Sequence, residues 1–136
     1  MSRGLPEMPQ DDCEAARPGV AFAGWWLMAR LLRDEVLGPE LSSDACWYIL
    51  LDLYRTDAGV AMVQITSLSP MIGFPQSTAR RWTRQLIEDG MLVKSNDPMD
   101  RRRFYVGLSP AARAMMCRYF HELSARGAPP DLGGGR

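Results

Sequence analysis

Residues 63–112 read VQITSLSPMIGFPQSTARRWTRQLIEDGMLVKSNDPMDRRRFYVGLSPAA. The middle of this stretch, Gln76 to Asp89, has the most regular helical period in the chain, and Gly90 follows it where a left-handed C′ residue belongs. On a wheel of about 100° per residue, Ser77, Arg80, Arg81 and Arg84 share one sector. Ala79, Trp82 and Leu86 fall opposite and predict the stripe that anchors the helix to a core. Met91 to Ser95 reads as a strand, Asn96 to Asp100 as a turn, and Arg103 to Leu108 as the return strand. Ser109-Pro110 then offers an N-cap and a proline at the first helical position, predicting a last helix that runs to about Ala125.

Upstream, Phe74-Pro75 is a turn, Thr66 to Gly73 a short helix, and Val60 to Ile65 a small strand or extended lead-in. Val20 to Leu37 is a helix closed by Gly38-Pro39. Its apolar residues cover more than one face, so it needs burial on more than one side. Ser42-Ser43-Asp44 caps a second apolar helix, Ala45 to Tyr54, which Asp57-Ala58-Gly59 ends. Residues 1–18 are polar and proline-rich and read as a mobile arm. Residues 127–136, rich in Gly and Pro, read as a disordered tail, which leaves 19–126 as one folded domain. The order helix, helix, short strand, helix, helix, strand, turn, strand, helix predicts a mainly α fold with a small β-hairpin: a winged helix-turn-helix with helical dimerisation elements at both ends.

Composition narrows the function. The net charge is zero, but residues 1–60 carry five basic against ten acidic residues, and 61–136 carry eleven against six. Such a chain can present one basic face to phosphate. Arg80 and Arg84, at i and i+4, repel each other across the Gln76–Asp89 helix. An anion outside would relieve that repulsion, although a plain solvated face also carries arginine. Arg101, Arg102 and Arg103, consecutive beside a hairpin tip, cannot all be buried. They suit a narrow minor groove, or else simply solubilise a turn. Asp100 is placed to brace a neighbouring guanidinium.

With these motifs in order, residues 63–112 resemble the MarR family of bacterial regulators. The pattern is a Leu-centred helix, a turn, a Ser-Thr recognition helix, a strand opening Gly90-Met91-Leu92-Val93, and a DPxDRR wing at Asp97–Arg102. The resemblance implies a recognition helix in the major groove using Gln76, Ser77, Thr78, Arg80, Arg81 and Arg84. It implies a wing in the minor groove using Arg101, Arg102 and Arg103, with Asp100 bracing it. It also implies a homodimer through the first and last helices, with Phe22, Trp25, Trp26, Met116 and Phe120 at the interface. The excess apolar surface at Trp25 and Trp26 points to a partner subunit independently. Three departures carry expectations: Pro70 should shorten or kink the first helix of the motif, Pro75 stands where the family commonly has a capping Ser, and one C-terminal helix in place of the family's longer pair should make the dimer rely more on the N-terminal helix.

The function expected is therefore a sequence-specific regulator, a repressor, that binds double-stranded DNA as a homodimer. The alternative is a winged-helix module that docks on another transcription protein without binding DNA. Trp25, Trp26, Trp47, Tyr48 and Tyr54 read as core plus dimer seam, with a pocket for a small-molecule effector as the second possibility. No enzyme is expected: the single His121 and the lack of a Gly-rich phosphate loop or G-x-S-x-G leave no catalytic set. Neither cofactor nor metal is expected, since Cys117 and His121 alone fall short of a ligand set. Cys46 reads as a small buried hydrophobe and Cys13 lacks a basic neighbour, which argues against redox sensing by either. No stretch stays apolar for the roughly 18 residues of a membrane span. Met1 to Pro18 lacks the apolar core of a secretory signal, so a cytoplasmic protein is expected.

Overall fold

A computed structural model describes residues 17–56, 63–64 and 73–132. The elements run α1 (Val20–Leu37), α2 (Asp44–Thr56), β1 (Val63–Gln64), α3 (Gln76–Glu88), β2 (Leu92–Asp97), β3 (Asp100–Leu108) and α4 (Pro110–Ala125). The strands form one antiparallel sheet in the order β1-β3-β2. Residues 1–16 of the arm expected at 1–18, and most of the short helix expected at Thr66 to Gly73, with Pro70, lie outside the described residues.

The core gathers around α2. Ile49 and Leu50 are fully buried there, against Leu86 of α3, Val106 of β3 and Met116 of α4. Two local signals set the frame. Ser109 Oγ accepts the Ala112 N–H at 3.1 Å with Pro110 in the first turn, so α4 starts as its sequence demands. At the end of α3, Gly90 sits at φ 78°. Its N–H bonds to the Ile87 carbonyl at 3.1 Å and that of Met91 to the Leu86 carbonyl at 2.9 Å, which is a Schellman motif. A Cβ at position 90 would meet nothing within 4 Å, so the demand there is conformational and not steric. Gly90→Ala should therefore lower stability by about 1–2 kcal/mol. The check is a shift of the urea midpoint at unchanged m-value.

Helix α1 has two apolar faces, as its composition predicts. One buries Ala29, Leu32 and Leu37, and Tyr119 of α4 fastens it by donating its hydroxyl to the Ala29 carbonyl at 3.0 Å. The other leaves Trp26, Leu27 and Leu31 exposed at 58%, 65% and 64%. The expectation for Met116 needs correction. Its side chain is 0% exposed inside the protomer's own core, so it cannot reach a second subunit. Phe120 is half-buried and stacks on Tyr54 with centroids 5.4 Å apart. Of the segment read as a disordered tail, residues 127–132 run back along α1: Trp25 Nε1 donates to the Gly127 carbonyl at 3.1 Å, and Gly19 N–H to the Leu132 carbonyl at 3.0 Å.

Candidate nucleic-acid interface

Helix α3 is held by one narrow stripe. Ala79, Thr83 and Leu86 are buried, and on the far side Gln76, Ser77, Arg80, Arg81 and Arg84 are exposed, with Thr78 half-buried at the margin. Thr83 replaces the expected Trp82 in the anchoring stripe. Trp82 is half-buried at its edge, and the Arg81 guanidinium lies 5.6 Å from its ring centroid. Among the described residues, Arg80 and Arg84 have no carboxylate partner. The repulsion between them is therefore uncompensated within those residues. At the helix start, Pro75 offers no side-chain cap and the first turn holds no acid. The positive end of the helix dipole there favours an anion.

The wing departs from a regular hairpin. Asp97 pairs with Asp100 across the Pro98-Met99 turn, but Asn96 pairs with Phe104. Arg101, Arg102 and Arg103 thus occupy the long side of a bulge. In an unbroken strand successive side chains would alternate between the two faces. Released from the ladder, all three are exposed, Arg102 to 93% of its side chain. The return strand consequently begins at Asp100, three positions before the sequence suggests.

Two carboxylates set the shape of the tip. Asp97 Oδ1 accepts the Met99 N–H at 2.8 Å, and Asp100 Oδ1 accepts the Arg102 N–H at 3.0 Å. Asp100 therefore braces the wing chiefly through backbone. Its contacts with the guanidinium groups of Arg102 and Arg103 are longer, at 3.6 and 3.7 Å. Exposed pairs of that kind contribute little and leave the cations available. Lower on the hairpin, Lys94 Nζ sits 4.8 Å from the Phe104 ring centroid.

A second feature lies between α1, α2 and α4. Trp25, Trp26, Trp47, Tyr48, Tyr119 and Phe120 line much of a cavity of about 510 Å³. Tyr54, expected among them, stacks on Phe120 instead. Arg33 is buried in its wall, which composition did not foretell. Its Nη2 donates to the Ser42 carbonyl and to Asp44 Oδ1, both at 3.0 Å, and the guanidinium stands 5.2 Å from the Trp47 centroid. Beside it the Ser42 hydroxyl donates to Asp34 and, more than the neighbouring Arg30, holds that carboxyl below the usual carboxylate range. Tyr48 also meets Phe74, just ahead of α3, at 6.4 Å.

The cysteines offer less. Cys46 is 1% exposed and burial pushes its thiol up, away from the reactive thiolate. Cys117 and His121 are exposed on α4, and the described residues contain no group of three or more metal-ligating side chains. Cys13 lies outside the described residues. Among the described residues, no helix is long and apolar enough to cross a membrane.

No protein-family model matches the chain, and no curated protein matches it in sequence. Solved structures do match in fold. A probable transcriptional regulator from Pseudomonas aeruginosa is 24% identical over 76% of each chain, with a TM-score of 0.53. NadR in complex with 4-hydroxyphenylacetate is 14% identical over 93% of this chain and 81% of its own, with a TM-score of 0.61. Overoxidized AbfR bound to DNA is 14% identical over 88% of this chain and 85% of its own, with a TM-score of 0.56. The chain shares the winged helix-turn-helix fold of these structures.

Proposed function

We propose that this protein is a transcriptional regulator, a repressor, that binds double-stranded DNA as a homodimer and has no enzymatic activity. The observation that carries the proposal is the pair of exposed arginine sets, one on α3 without carboxylate partners among the described residues and one freed by the wing bulge. A helix of this kind fits the major groove, where arginine bonds guanine O6 and N7. The wing arginines suit the strong negative potential of a narrow minor groove. DNA-bound AbfR, of the same fold, supports the assignment.

The exposed face of α1, with Trp26, Leu27 and Leu31, supports a second copy as partner. Such a dimer would place two α3 helices on half-sites roughly 10 bp apart, on a pseudo-palindrome. The aromatic cavity with its buried arginine supports a small-molecule effector, and NadR, which holds one, shares the fold. DNA as the target also fits a cytoplasmic location.

A gel shift against genomic fragments at low and moderate salt tests the proposal. A specific fragment should be retained, with affinity falling steeply as salt rises, because each neutralised phosphate releases counterions. Failure to retain any fragment, with co-purification of a protein partner, would favour the docking module instead.

A further inference from the structure

We propose that Met99 is an apolar wedge. When the wing enters the minor groove, Met99 pushes between two stacked base pairs, bends the duplex, and makes the wing select a flexible pyrimidine–purine step. This rests on the DNA-binding function proposed above and adds to it a specificity residue that carries no charge.

Met99 is 90% exposed, more than any other large hydrophobic side chain among the described residues. The exposed Trp26, Leu27 and Leu31 adjoin one another on α1 and form a patch that a second copy can cover. Met99 stands apart from them, at the outermost turn of the hairpin and beside exposed Pro98. The turn is not loose. Asp97 pairs with Asp100 across it, and Asp97 Oδ1 holds the Met99 N–H at 2.8 Å. The side chain is thus presented from a fixed backbone.

Its surroundings select the partner. Three exposed arginines follow it within four residues, so the tip is apolar at its end and cationic along its flank. The matching surface is anionic outside and apolar within. A duplex has that arrangement, with phosphates along the groove and stacked bases behind them. Methionine and proline are among the side chains that minor-groove proteins insert between base steps, bending DNA by about 20–90°. Pyrimidine–purine steps unstack most easily. An anionic membrane shares the charge pattern, but one methionine anchors weakly, and the arginines of α3 call for a groove.

The test uses the full chain and a duplex of about 30 bp that the wild type recovers from a random pool, labelled at both ends for energy transfer. The wild type should bend it and should prefer a pyrimidine–purine step beneath the wing. Met99→Ala should lose at least half of the bend and the step preference, with affinity falling about tenfold. The slope of log affinity against log salt should stay unchanged, because no charge is removed. Met99→Leu should keep the bend. The wedge is overturned if Met99→Ala bends the duplex as the wild type does, or if Met99→Leu loses as much as Met99→Ala. It is equally overturned if Met99→Ala alters only sedimentation with phosphatidylserine vesicles. A wild type that recovers no duplex would overturn DNA binding itself, and the wedge with it.

Discussion

Arg84→Ala is expected to weaken binding to the preferred duplex by about 1–3 kcal/mol and to relax base preference at one position of each half-site. Arg84 lies opposite the buried stripe of Ala79, Thr83 and Leu86, so it projects from the helix face that a groove would receive. Arg80, one turn earlier on the same face, should behave alike at a neighbouring base pair. Arg102→Ala, on the wing, should weaken binding to all sequences and lower the salt slope by about one unit. None of the three side chains is buried, so the variants should unfold at the wild-type temperature. Measured affinities at several salt concentrations separate the two behaviours. A salt slope and a base preference unmoved in all three would remove the arginine face as the binding surface.

Met116→Ala is expected to cost about 2–5 kcal/mol of stability, the range for truncating a buried side chain in a packed core. Met116 is fully buried in the cluster that includes Ile49, Leu50 and Leu86, so a cavity would open inside the core. Trp26→Glu should do the reverse, leaving the protomer folded while placing a carboxylate on the exposed face of α1. If the proposed dimer forms through this face, sedimentation should report a dimer for the wild type and a monomer for Trp26→Glu. Denaturant melts and sedimentation of both variants make the check. A Met116→Ala protein as stable as the wild type would contradict the burial described above. A Trp26→Glu protein still dimeric would move the seam elsewhere.

The features that sequence made legible are those with local causes. Gly90 ends α3 because a left-handed residue is needed there, and Ser109-Pro110 starts α4 because a hydroxyl and a fixed φ suit a first turn. The pattern of α1 called for burial on more than one side, and the protomer buries one face while leaving Trp26, Leu27 and Leu31 exposed. What escaped depends on neighbours distant in sequence. Thr83 is buried because its position faces the core, although its hydroxyl reads as polar. Met116 and Trp26 are both apolar residues on terminal helices, and only the packing of α1 against α4 decides which is enclosed. Arg33 reads as a surface cation, yet the Ser42 carbonyl and Asp44 draw it inside. The wing bulge was invisible because consecutive arginines carry no pairing register of their own.

That bulge also separates what the wing does from what keeps the protein folded. The foot of the hairpin, where Leu92 faces Leu108 and Lys94 faces Val106, belongs to the sheet and core. The segment from Arg101 to Arg103 does not. Adding or deleting a residue there leaves the foot aligned and changes mainly loop entropy, by about 0.6 kcal/mol for a doubling of length. Natural variation can therefore change the reach and the charge of the wing, lengthening the finger or swapping its arginines, without putting the fold at risk.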